Sequence, residues 1–105
     1  MKTILDAIGN TPLINIEGIW VKMEYLNPSG SIKARIAKYM IERAEQEGLL
    51  KPGDTIVEAS SGNTGNAMSM VAAVKGYKML VVMPTGLSQE RVAISKAFEI
   101  GRAHV

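Results

Sequence analysis

Two features of this 105-residue sequence are suited to chemistry: Lys33 and the segment Ser60-Ser61-Gly62-Asn63-Thr64-Gly65. At about 100° per residue, a helix starting near Ile32 would carry an apolar arc of Ile32, Ile36, Ala37, Met40, Ile41 and Ala44. Lys38, Glu42, Glu45 and Gln46 would lie opposite, and Lys33 would fall in the middle of the apolar arc. Burying an ammonium is costly, and burial favours the neutral amine that Schiff-base chemistry needs. A plainer reading is a lysine whose stem crosses apolar surface while its head reaches solvent past the helix end.

The second segment has glycines at 62 and 65 that let a backbone approach a ligand. The amides that open a following helix would favour an anion. Ser60, Ser61, Asn63 and Thr64 add hydroxyl and amide groups, suited to a carboxylate or a phosphate. The alternative is an ordinary strand-to-helix turn. Asn66 follows Gly65, so this is no Walker loop, and the dinucleotide glycine spacing is also missing. An amine beside an anion cradle suits an amino-acid substrate with an aldehyde cofactor.

The elements that must position these residues follow from periodicity and turn signals. Leu13–Ile16 and Ile19–Met23, separated by Glu17-Gly18, predict a hairpin. Asn27-Pro28-Ser29-Gly30-Ser31 predicts a turn, followed by a helix from about Ile32 to Gln46 that stops at Gly48. A strand is expected at Thr55–Glu58, then a helix to about Lys75 closed by Gly76. A strand at Tyr77–Met83 and a helix from Ser88 to about Phe98 complete the pattern. Strands alternating with helices imply an α/β fold with a parallel sheet. Ligands of such sheets bind at the carboxyl ends of the strands.

Composition narrows the class. Apolar residues make up 47% and charged residues 21%, ordinary for a globular domain and unlike a disordered tail or a rod. The net charge is +2 with both signs interspersed, so no nucleic-acid partner is expected. With no cysteine there is no disulfide, thiolate nucleophile or Cys-based zinc site, and no metal is expected. No apolar run is long enough for a membrane span, and a cytoplasmic location is expected.

Gly9-Asn10-Thr11-Pro12-Leu13, Asn27 to Arg35, Lys51 to Glu58 and Ser60 to Gly65 occur in that order. Together they resemble the N-terminal third of the cysteine synthase (O-acetylserine sulfhydrylase) family, enzymes of pyridoxal-phosphate fold type II. The resemblance implies pyridoxal 5′-phosphate as cofactor and Lys33 as its Schiff-base lysine. It further implies Asn63 at the cofactor's ring oxygen, and Ser60, Ser61, Gly62 and Thr64 at the substrate carboxylate. It implies β-replacement on an O-acetylserine-like amino acid with sulfide, in a homodimer. Cystathionine β-synthase shares these motifs and is a near alternative. A non-enzymatic anion-binding α/β module, or an inert truncated product, is the reading from outside enzymology. Ala34 and Ser60 stand where most relatives have Asp and Thr.

In relatives, residues 1–26 pack on a second domain, while 27–99 would form part of the α/β domain. Residues 100–105 are expected to be a non-native tail. Ile100-Gly101-Arg102-Ala103-His104-Val105 back-translates to ATC GGA AGA GCA CAC GTC, common sequencing-adapter DNA. His104, the single histidine, lies inside that tail and is given no catalytic role.

Overall fold

The computed structural model describes residues 3–59, 62–83 and 101–104. The chain opens with a 3-10 turn at Ile4–Ala7, capped by Thr3, whose hydroxyl accepts from the Leu5 amide at 3.2 Å. Strands β1 (Leu13–Ile16) and β2 (Ile19–Lys22) form the expected antiparallel hairpin, with Leu13 opposite Lys22 and Ile16 opposite Ile19. Glu17 and Gly18 both have positive φ, 50° and 86°, as a two-residue type I′ turn demands. The Asn15 side chain supports this turn by accepting from the Gly18 amide at 2.9 Å.

After a second 3-10 turn at Glu24–Leu26, helix α1 spans Lys33–Gln46. Strand β3 (Thr55–Ala59), helix α2 (Asn63–Lys75) and strand β4 (Lys78–Met83) then form a βαβ unit. Gly76 ends α2 in the left-handed conformation, φ 82°, where the absence of a Cβ removes the steric cost. Strand β5 (Gly101–His104) extends the parallel sheet to the order β3-β4-β5. Gly101–His104 of the expected tail therefore pair through their backbone, which any non-proline sequence can do. The helix expected at Ser88–Phe98 lies outside the described residues.

Helix α2 is the centre of the core. Ala67, Met68, Met70, Val71 and Ala72 are all buried, between α1 on one side and Ile56, Met79 and Val81 of the sheet on the other. Its lack of a polar face is what a helix covered on both sides requires. On α1 the buried stripe is Ala34, Ala37 and Ile41, and the two alanines let the helices approach closely. Leu5 and Ile8 close one edge of this cluster. Burying a side chain such as Ile41 contributes about 1.5–3 kcal/mol.

The last turns of α1 and α2 are tied together. Lys75 donates to Glu45 at 2.9 Å and lies 3.5 Å from Glu42, and the Tyr77 hydroxyl donates to the other Glu45 oxygen. The two helices therefore run side by side in the same direction. Their first turns point to the carboxyl end of the sheet, because α2 leaves β3 there and α1 enters β3 from the opposite end.

Candidate active site

Lys33 and the Gly62–Thr64 segment open α1 and α2, so both stand at the carboxyl edge of the parallel sheet. The Ser31 hydroxyl accepts from the Lys33 amide at 3.2 Å and steadies the first turn of α1. At the start of α2, Gly62 takes φ −151° and ψ −137° and supplies no side-chain cap. A Cβ on Gly62 would meet nothing within 4 Å, so the space before this helix end is open. Asn63 is exposed and Thr64 half-buried. Ser60 and Ser61 lie outside the described residues.

One expectation needs correction. Lys33 is half-buried and does not sit in the middle of a covered apolar arc. Of that arc, Ala37 and Ile41 are buried, whereas Ile32, Ile36 and Met40 are exposed. The covered stripe is rotated toward Ala34, because α2 approaches α1 from that side. Lys33 lies at the seam between covered stripe and open apolar flank. Ala34, where most relatives carry Asp, is fully buried.

A network with little signature in local sequence pattern ties this region together. Arg35 Nε lies 2.5 Å from Glu24 Oε1, and its Nη2 donates to Glu24 Oε2 at 3.0 Å and to the Gly9 carbonyl at 2.9 Å. The Thr11 hydroxyl also donates to Glu24. The buried Asn27 amide donates to the Glu24 carbonyl at 3.0 Å and to its carboxylate at 3.1 Å, and its oxygen accepts from the Gly9 amide at 2.8 Å. The Arg35 hydrogen bond, reinforced by Thr11, holds the Glu24 carboxyl down at about 2 against the opposing effect of burial. No spacing rule marks Glu24. It is one acid in the apolar stretch Met23-Glu24-Tyr25-Leu26, and its partner stands eleven positions on.

The donor set suits an aldehyde-bearing phosphate ester: the primary amine of a half-buried lysine, an exposed asparagine, and a helix start where Gly62 leaves room for a Cβ. No described group of acidic or histidine side chains could hold a metal ion. A groove of about 570 Å³ lined by Thr3, Asp6, Lys38, Glu42 and Lys75 includes neither Lys33 nor Gly62–Thr64.

The family model described as pyridoxal-phosphate dependent enzyme matches residues 4–102. The chain belongs to the pyridoxal-phosphate dependent enzyme family. It is 49% identical over 106 residues to cysteine synthase B of Salmonella typhimurium, covering 93% of this chain and 35% of that protein. It is 50% identical over 103 residues to a cystathionine beta-synthase of Apis mellifera, covering 89% of this chain and 20% of that protein. Among solved structures, an O-ureido-L-serine synthase superposes with TM-score 0.94 at 42% identity, covering all of this chain and 35% of its own. A hydrogen sulfide-producing enzyme of Fusobacterium nucleatum gives TM-score 0.93 at 43% identity, with 99% and 37% covered. The chain thus spans about a third of the length of the cysteine synthases it matches. The fold is that of fold-type-II pyridoxal-phosphate enzymes: a parallel sheet with packed helices, preceded by an antiparallel hairpin. Among the described residues no helix is long and apolar enough to cross a membrane.

Proposed function

We propose that this chain is the lysine-bearing portion of an enzyme that replaces the β-substituent of an O-acetylserine-like amino acid with sulfide, using pyridoxal 5′-phosphate. The observation that carries the reading is the common edge: Lys33 and Gly62–Thr64 open two helices whose first turns lie at the same end of one parallel sheet. Bound there, the cofactor supplies an electron sink for the Cα carbanion. Lys33 would hold the cofactor through its amine, and that amine would also be the base that takes the substrate's Cα proton. Asn63 orients the cofactor ring through its oxygen. Ser60, Ser61, Gly62 and Thr64 hold the substrate carboxylate. In the net reaction the Cβ–O bond to acetate breaks and a Cβ–S bond forms. The intact enzyme works as a cytoplasmic homodimer.

The 50% identity to a cystathionine beta-synthase favours a second reading, in which a thiol amino acid takes the place of sulfide. Both readings share Lys33. The test is borohydride reduction of the full-length enzyme with pyridoxal phosphate, followed by peptide mapping, with sulfide and a thiol amino acid offered in parallel assays. The modified peptide should carry Lys33, and Lys33→Ala should abolish turnover while the fold survives. Modification at Lys22 or Lys38 instead would sink the assignment.

A further inference from the structure

We propose that Arg35 and Glu24 are a positioning pair that fixes the turn and first helical turn carrying Lys33, a role that rests on reading Lys33 as the cofactor lysine. Lys33 is bracketed by two anchors. Asn27, six residues before it, is held to the Gly9 amide and to both the carbonyl and carboxylate of Glu24. Arg35, two residues after it, grips the same carboxylate with Nε and Nη2 and the Gly9 carbonyl with Nη2. Both anchors therefore end on Glu24 and Gly9, which closes a ring around the segment 28–34.

That segment is under strain. Gly30 donates to the Asn27 carbonyl at 2.8 Å, with Pro28 and Ser29 between them. Ser29 has φ 78° at the place where a type II turn prefers glycine. Its buried hydroxyl oxygen has no hydrogen-bond partner among the described residues. A residue in such a conformation persists only where its surroundings over-determine it. The two anchors supply that constraint.

An exposed ion pair contributes little to stability and would not need this geometry. A two-point guanidinium–carboxylate contact fixes orientation as well as charge, which lysine cannot reproduce. Gly9 is shaped to receive it: φ is +91°, and a Cβ there would lie 3.0 Å from Arg35 Nη1. The segment Gly9-Asn10-Thr11-Pro12 thereby gains a role as the receptor for Arg35. Arg35 projects about 200° around α1 from Lys33, so it acts through the backbone and not on the amine itself.

The test uses the full-length enzyme with bound pyridoxal phosphate, well below its melting temperature, comparing wild type with Arg35→Lys and Glu24→Gln. Misplacing a reacting group by about 1 Å costs up to about 100-fold, so kcat and the rate of borohydride incorporation at Lys33 should each fall about tenfold or more. The KM for the amino acid should stay within about twofold, because its carboxylate is held by the other helix. Variants that melt lower yet react at Lys33 and turn over like wild type would make the pair a simple strut and overturn the inference. Wild type that is not modified at Lys33 would instead overturn the functional reading, and this inference with it. If neither variant folds, hydrogen exchange in the wild type decides. Amides of Gly30, Ala34 and Arg35 protected as well as mid-α1 amides support the clamp, and exchange at loop rates refutes it.

Discussion

Ser29 holds a backbone angle that side chains with a Cβ rarely adopt, and its buried hydroxyl lacks a partner among the described residues. Replacing it with glycine removes the left-handed penalty, about 1–2 kcal/mol, at the expense of glycine's larger unfolded-state entropy of about 0.5–1 kcal/mol. Ser29→Gly should therefore raise the urea midpoint by the equivalent of about 1 kcal/mol, and a lower midpoint would mean that the hydroxyl has a stabilising partner. Glu24 makes a second prediction at this scale. Its carboxyl is held at about 2 in the folded chain against an ordinary 4.5. Above pH 4.5 the full stabilisation is present, and it is lost as pH falls from 4.5 toward 2. The urea midpoint of Glu24→Gln should vary less over that window than that of wild type. Equal slopes would count against the Arg35 contact.

Between elements, the tie joining the last turns of α1 and α2 is sensitive to alkali. The hydrogen bond to Glu45, aided by burial and the Glu45 charge, pushes the Tyr77 hydroxyl up to about 12 from 10. A raised folded value means that the contribution is intact below pH 10 and lost as pH rises toward 12. Stability should fall more steeply between pH 10 and 12 in wild type than in Tyr77→Phe, read as urea midpoints at each pH. The buried stripe of α1 is equally open to test. Ile41→Val should cost about 0.5–1.5 kcal/mol, as the loss of one buried methylene requires.

For the molecule as a whole, apolar surface is left uncovered on three sides. Leu13, Ile14, Ile16, Ile19 and Trp20 of the hairpin, Ile32, Ile36 and Met40 of α1, and Val57 on the sheet face away from α2 are all exposed. Parallel sheets are normally covered on both faces, and a two-stranded hairpin is marginal alone in water. The 105 residues by themselves should therefore associate, with no lysine-dependent turnover above a Lys33→Ala control. Trp20, the single tryptophan and 64% exposed, reports this directly. Its emission should move to shorter wavelength and resist acrylamide quenching as concentration rises. A monomer at every concentration in sedimentation, with Trp20 fully quenchable, would refute the expectation.

The hairpin, α1, β3, α2 and β4 were legible in the sequence to within a residue or two, because period and turn chemistry are local, whereas β5 fell in a segment read as a tail. Glu17-Gly18 and Gly76 punctuate the chain through their own backbone preferences, and Lys33 and Asn63 stand out by motif. Which side of α1 is covered was not legible. Periodicity marks an apolar arc from Ile32 to Ala44, but only the approach of α2 selects Ala34, Ala37 and Ile41 from around it and leaves Lys33 at the seam. The Glu24–Arg35–Gly9–Asn27 ring was equally hidden, since its contacts span 3 to 26 positions and the distant members meet only when the hairpin folds back on the start of α1. Local propensity has no knowledge of such distances; the tertiary structure alone brings those charges and amides into contact beside the start of α1.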